Sequence, residues 1–204
     1  MQPEVLQNKL NQAVVLFQNG DLSGAKQGLN EIKAANSNIP LVWFLLGIVE
    51  SSLAQHTDAI KAFKHCIKLQ PNYPEALNNL GVVLEKTGKH QEAVSHYQKA
   101  VKFNPDYVAA LFNLGNALQT LGQLDKATKY YEMVLNKEPG HVNALNNLGL
   151  CYKLKQKFEL AAKYLQQALN LVPDDIQVMI NLGSVLSELE DFTAAEQLLH
   201  NAVL

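Results

Sequence analysis

The chain has 204 residues, of which 48% are hydrophobic and 18% charged, and this composition is typical of a folded protein rather than a disordered one. Its seventeen basic residues are all lysine and stand against nineteen acidic ones, so the formal charge is -2 and arginine is absent. Nucleic-acid sites rely on clustered positive charge and bidentate anion sites rely on arginine, so we expect no nucleic-acid partner. The longest apolar run, Ile39 to Val49, is too short to cross a bilayer, and we expect no membrane partner either.

The dominant feature of the sequence is a motif that returns every 34 residues. It reads Ala76-Leu-Asn-Asn-Leu-Gly81, then Ala110-Leu-Phe-Asn-Leu-Gly115, Ala144-Leu-Asn-Asn-Leu-Gly149 and, more loosely, Val178-Met-Ile-Asn-Leu-Gly183. Upstream copies are Val42-Trp-Phe-Leu-Leu-Gly47 and a degenerate one around Leu10-Asn-Gln-Ala13. A fixed period of this length indicates repeated supersecondary units.

In chain order, the motif predicts a divergent first repeat followed by five regular ones. In the third repeat, Leu77, Leu80 and Leu84 have helical spacing, a turn follows at 87–89, and a second helix carries Ala93 and Tyr97 on its apolar stripe. The prolines fall outside the periodic segments, and no strand pattern is present. We therefore expect one continuous solenoid domain of helical hairpins, with repeat bounds 1–39, 40–73, 74–107, 108–141, 142–175 and 176–204.

In the five regular repeats, a glycine in the first helix is followed twelve residues later by an alanine in the second, as in Gly115 and Ala127. Glycine inside a helix costs about 1 kcal/mol relative to alanine, so its recurrence needs a structural reason. We expect the glycine to face the alanine, so that the two helices of a hairpin can approach closely.

These residues resemble the tetratricopeptide repeat family over nearly the whole chain. The family pattern is Trp, Leu-Gly, Tyr, Ala, Phe, Ala and Pro. The second copy matches it with Trp43, Leu46-Gly47, Ala59, Phe63, Cys66 and Pro71. It departs from the pattern at the Tyr position, which is Glu50. The resemblance implies an all-α fold, a right-handed superhelical α-solenoid of about six helix-turn-helix repeats whose first helices line a concave groove.

No sequence motif indicates catalysis or a cofactor. Phosphate-binding loops, dinucleotide fingerprints and zinc spacings are absent, so we expect no enzyme activity, no cofactor and no metal site. The two cysteines, Cys66 and Cys151, are too few for a disulfide framework and fit a reducing compartment, so the expected location is the cytoplasm.

Asparagine recurs at one phase of the first helix, immediately before the Leu-Gly pair. This phase resembles the superhelical repeats of O-linked N-acetylglucosamine transferases, in which a ladder of asparagines holds the backbone of an extended peptide. The resemblance implies that the ladder here is Asn79, Asn113, Asn147 and Asn181. We expect five further residues to line the same surface: Asn78, Phe112, Asn116, Asn143 and Asn146.

Two other interpretations of this surface stay open. The asparagines can simply be solvated or bond to a neighbouring repeat. A carboxylate clamp for acidic chaperone tails is disfavoured, because the groove phases hold only scattered charge such as Lys86 and Lys153 and no arginine.

The first helix of the second repeat is apolar on every side, which normally means complete burial. We expect Trp43, Leu46 and Gly47 to pack inside the solenoid. That leaves an apolar patch toward the groove, formed by Leu41, Phe44, Leu45 and Ile48. Leu10, Val14 and Phe17 of the first repeat are expected to extend it. Such a patch indicates a partner site or a contact between copies of the chain, unless the first repeat covers it.

The chain reaches Leu204 without a polar capping helix, so we expect it to be a fragment or to pack its end on another copy. The predicted function is protein–protein interaction, with an extended peptide or partner protein in the concave groove. The alternatives are the substrate-recognition arm of a larger, glycosyltransferase-like transferase and a self-associating assembly scaffold. The sequence leaves open the partner, the oligomeric state, the organism and whether a catalytic or capping domain follows.

Overall fold

A computed structural model describes residues 2–202 of the chain. Val203 and Leu204, on which the expectation about the missing cap depends, lie outside the described residues. Within 2–202 the chain forms twelve α-helices and no strand, which confirms the predicted all-helical repeat architecture. The helices are α1 Pro3–Gln18, α2 Leu22–Ala35, α3 Pro40–Ser52, α4 His56–Leu69, α5 Pro74–Lys86, α6 His90–Phe103, α7 Val108–Thr120, α8 Leu124–Lys137, α9 Val142–Leu154, α10 Phe158–Leu171, α11 Ile176–Glu188 and α12 Phe192–Asn201.

The chain divides into two compact units, Met1–Tyr107 and Val108–Leu204, each containing three helical hairpins. Within a unit, the two helices of a hairpin pack on each other and the second helix packs on the first helix of the next hairpin. That the six hairpins form one continuous solenoid domain stays a prediction.

The helix ends follow local chemistry. Proline occupies the first turn of α1, α3 and α5, where its missing N–H is not needed. Asp21, Asp175 and Asp191 cap α2, α11 and α12 by accepting from backbone N–H groups. The turns inside the hairpins use a residue with positive φ at a constant phase: Gly20, Ala54, Gly88, Gly122, Gln156 and Glu190.

The recurring glycines pack against the second helix of their own hairpin, but the nearest side chain is not that of the alanine we expected. A Cβ built on Gly115 would lie 2.7 Å from Cε1 of Tyr131, and one built on Gly47 would lie 2.6 Å from Cε1 of Phe63. The contact is made by the side chain sixteen positions on, which is an aromatic ring at Gly47, Gly81 and Gly115 and a leucine at Gly149 and Gly183. The alanine at twelve positions, such as Ala127, is completely buried.

Candidate functional site

The first helices of the second unit, α7, α9 and α11, lie side by side and carry three of the four predicted ladder asparagines. Asn113, Asn147 and Asn181 occupy the same turn of successive first helices, and all three side chains are half-buried. Asn79, the fourth, lies on α5 in the first unit.

The side-chain amides of the second unit bond to one another between hairpins. Nδ2 of Asn147 donates to Oδ1 of Asn116 at 2.9 Å, and Nδ2 of Asn181 donates to Oδ1 of Asn146 at 2.8 Å. Within α9, Nδ2 of Asn146 donates to Oδ1 of Asn147 at 3.2 Å. The alternative in which asparagines bond to a neighbouring repeat is therefore realised at these positions.

These bonds leave hydrogen-bonding capacity in the amides. A carboxamide has two N–H donors and two acceptor lone pairs. Asn147 uses one donor toward Asn116 and one lone pair toward Asn146, and Asn181 likewise uses one donor and accepts from Gln177 at 3.2 Å. Each retains one N–H and one lone pair, the pair of groups that a peptide backbone complements.

An aromatic cluster lies on the α7 side of this surface. The ring of Phe112 is half-buried, with its centroid 4.9 Å from that of His141 and 6.0 Å from that of Tyr131. His141 also caps α9, because its Nδ1 accepts from the backbone N–H of Ala144 at 3.2 Å. On α9, Asn143 is exposed.

In the first unit, the two predicted asparagines of α5 differ in exposure. Asn78 is only 5% exposed, so it is a buried residue rather than the surface residue we expected. Asn79 is half-buried and lines a cleft of about 110 Å³ together with Ile48 of the apolar patch.

The apolar patch of α3 is partly covered. Leu41 is 42% exposed, while Phe44 packs its ring on Tyr73 with 4.9 Å between centroids. Leu45 and Ile48 are half-buried and line an apolar cleft of about 50 Å³ between α1 and α3, whose other walls include Val14 and Phe17.

One expectation attached to this patch is wrong: Leu10 does not extend it, because Leu10 lies in the core of the first unit. Trp43 packs against that core but is only half-buried. Its outer side lies between the ring of His65, with 4.0 Å between centroids, and the ammonium of Lys33, 5.2 Å from the indole centroid. Lysine stems and aromatic rings readily combine in this way at a surface.

Sequence reasoning also missed a polar pocket of about 290 Å³ among α2, α3 and α4. Its wall includes Glu50, which is 8% exposed and forms an ion pair with Nζ of Lys26 at 3.3 Å. The equivalent positions, 34 residues further on, hold Leu84 and Ile60, and this contrast between repeats is the signal that could have identified the pocket.

The described residues contain no group of three or more His, Cys, Asp or Glu side chains that could hold a metal ion. Cys66 and Cys151 are buried and free, and burial raises the pKa of each thiol to about 11. Such thiols are poor nucleophiles at neutral pH because almost none is present as thiolate. Between residues 2 and 202, no helix combines the length and apolar character needed to cross a membrane.

Comparison with known proteins agrees with this hairpin architecture. The tetratricopeptide repeat model matches the chain over residues 38–106, 72–137, 106–174 and 141–203. The chain belongs to the tetratricopeptide repeat family. It is accordingly a protein-interaction module. A search of curated proteins gave no match.

Several solved structures are similar to this tetratricopeptide repeat chain. MamA is 26% identical, with a TM-score of 0.76 over 85% of this chain and 95% of the other. YrrB, described as a TPR protein with an unusual peptide-binding site, is 25% identical, with a TM-score of 0.75 over 84% of this chain and 88% of the other. pilF of Pseudomonas aeruginosa shares the fold at 15% identity, with a TM-score of 0.82 over 96% and 89% of the two chains.

Proposed function

We propose that the first-helix surface of the second unit binds the backbone of an extended peptide through the amides of Asn113, Asn147 and Asn181. The observation that carries this proposal is the residual hydrogen-bonding capacity of Asn147 and Asn181, one N–H and one lone pair each. Each peptide unit offers one carbonyl and one N–H whatever its side chain. The ligand is therefore recognised through its extended conformation more than through its sequence.

Three features support this assignment. The amides recur at one phase on three neighbouring helices, so their spacing is repetitive like that of an extended chain. Phe112 and the exposed Asn143 flank the row and offer further contacts. YrrB, a protein of the same architecture, has a peptide-binding site.

The test uses peptides selected from a random library against the chain and measures their dissociation constants by calorimetry. The Asn113→Ala/Asn147→Ala variant should weaken several unrelated peptides by about tenfold or more, since each lost hydrogen bond contributes about 0.5–1.5 kcal/mol. The matched control is Asn136→Ala/Asn170→Ala, which removes two exposed amides of the same spacing from the second helices α8 and α10. Equal affinities for the two double variants contradict the proposal.

The apolar cleft between α1 and α3 supports a second candidate function, which is self-association or the docking of an apolar partner side chain. Its walls are all aliphatic or aromatic, and Leu41, one turn before Leu45 on α3, is 42% exposed. Light scattering of the wild type and of Leu41→Ser at high protein concentration tests it. We expect a concentration-dependent rise in mass for the wild type alone, and a wild type that stays monomeric excludes self-association.

A larger transferase could use the same amide surface as its substrate-recognition arm, as the asparagine phase suggests. The mass of the native gene product and the coding sequence after Leu204 distinguish this arm from a free-standing adaptor. In either case the chain itself carries out binding rather than chemistry. We place it in the cytoplasm, because buried free cysteines fit a reducing compartment.

A further inference from the structure

The amides of the second unit form a hydrogen-bonded chain that runs in one direction across three helices. It begins at Gln177, whose Nε2 donates to Oδ1 of Asn181 at 3.2 Å. It passes through Asn146 and Asn147, with each Oδ1 accepting and each Nδ2 donating onward, and reaches Oδ1 of Asn116. We call these five residues the amide relay.

The relay ends on the core of the unit. The hydroxyl of Tyr131 donates to Oδ1 of Asn116 at 2.7 Å and shares its proton with Oε1 of Gln119, which lies at the same distance. The ring of Tyr131 is completely buried against Gly115. Oδ1 of Asn116 therefore accepts two bonds, one from Asn147 and one from Tyr131, which uses both of its lone pairs. That oxygen has no capacity for a ligand.

The direction of each amide depends on its neighbours. Turning over Asn147 alone would set its oxygen against Oδ1 of Asn116 and its nitrogen against Nδ2 of Asn146. Turning over Asn146 alone would similarly oppose two nitrogens at Asn181 and two oxygens at Asn147. The amides can reverse only together, so the orientation of each one depends on the whole row.

We propose that Asn116 and Asn146 are positioning residues, which orient the carboxamides of Asn147 and Asn181 rather than contact the peptide. Both oriented amides direct Nδ2 toward the preceding first helix, so a bound backbone meets the same polarity at each step and binds in one direction. This inference rests on the proposed peptide-binding function and specifies how its two best-defined residues are prepared for it. A pre-oriented amide also loses less conformational entropy on binding than a free one.

Two isosteric variants of equal charge separate positioning from other roles. Asn116→Asp keeps both bonds that residue 116 accepts, so we expect it to weaken the binding of a library-selected peptide less than Asn146→Asp does. Asn146→Asp still accepts from Asn181 but cannot donate to Asn147, and its carboxylate attracts Nδ2 of Asn147 away from Asn116. We expect about tenfold weaker binding, because the Asn147 amide is then reversed.

The pH dependence of peptide affinity distinguishes a positioning role of Asn146 from a purely structural one. Protonation of the carboxylate introduced by Asn146→Asp restores a donor at that position. The affinity of this variant should therefore recover as the pH falls toward about 4, near the ordinary pKa of aspartate. The wild type serves as the control for the peptide's own titration. Equal losses in the two variants, or no loss in Asn146→Asp, overturn the relay.

A measurement without ligand keeps the relay testable if the proposed function fails. Hydrogen exchange of the Asn147 side-chain amide, followed by NMR, should be slow in the wild type and in Asn116→Asp and faster in Asn146→Asp. Identical exchange in all three proteins overturns the relay. Failure of the proposed function shows instead as equal peptide affinity for Asn113→Ala/Asn147→Ala and the wild type.

Discussion

Replacing Gly115 by alanine should destabilise the protein, although alanine is the better helix former. The added methyl group would lie 2.7, 2.9 and 3.1 Å from three atoms of the Tyr131 ring. These separations are well inside the optimum of about 3.5–4.0 Å for carbon atoms. The ring cannot withdraw, because it is completely buried and its hydroxyl is bonded to Asn116.

The magnitude follows from two opposing effects. Alanine in place of a mid-helix glycine favours folding by about 1 kcal/mol. Forcing an extra methyl group into a close-packed site costs about 1–3 kcal/mol. A suitable control is Gly28 of α2, where a new Cβ would meet only Cβ of Ala13, at 3.8 Å. Gly28→Ala gains the helix propensity without the clash and should be stabilising by about 0.5–1 kcal/mol.

The difference between the two variants isolates the packing cost, since both make the same change inside a helix. Urea unfolding followed by circular dichroism should place Gly115→Ala about 1–3 kcal/mol below Gly28→Ala in free energy of unfolding. If both variants are stabilised equally, the Tyr131 ring does not determine why residue 115 is glycine, and the packing argument is wrong.

Two further variants test local features of the hairpins. Gly122 has φ +70°, and a Cβ added there would meet open space. Gly122→Ala should therefore lower the free energy of unfolding by about 1 kcal/mol through backbone strain alone, measured in the same urea assay. An unchanged urea midpoint would contradict this backbone strain. Burial lowers the pKa of His96 below its ordinary value, and the positive charges of Lys99 and Lys64 lower it further. The negative charge of Glu92 opposes this shift without cancelling it. As the pH falls through about 6.5, this histidine therefore takes up a proton in the unfolded chain before it does so in the folded protein. Acidification should destabilise the wild type more than His96→Gln. Equal pH dependence of the urea midpoints of the two proteins would refute this prediction.

The fold could be predicted from sequence because the repeat is redundant. A period of 34 residues, glycine at one phase and proline between the helices each report the same hairpin several times over. The packing partners of individual residues were harder to predict, since a helical pattern defines which face of a helix is buried but not which residue lies opposite. The glycine contact went to Tyr131 rather than Ala127 because the long side chain reaches back over the preceding turn.

The position of the candidate site could be predicted from the sequence, but the hydrogen bonds among its amides could not. The asparagine phase identified Asn147 and Asn181 as neighbours on one face, and the structure places them on adjacent first helices. Periodicity contains no information about which amide donates to which, so the relay through Asn116 and Asn146 could not be inferred. The role of Tyr131 was equally hidden, because its hydroxyl reaches the row from the second helix.

Comparison among the repeats themselves extends this reasoning to the pair Lys26 and Glu50. One repeat further on, Ile60 and Leu84 occupy these positions, so an apolar pair fits the same architecture. A buried ion pair rarely stabilises more than well-packed apolar residues, whereas removing one partner leaves the other charge uncompensated. Lys26→Ile alone should therefore cost about 1–3 kcal/mol, because Glu50, which is 8% exposed, loses its counter-charge. The double variant Lys26→Ile/Glu50→Leu should recover this loss in urea unfolding. A double variant less stable than the single one would mean that the ion pair itself stabilises the junction between the first two hairpins.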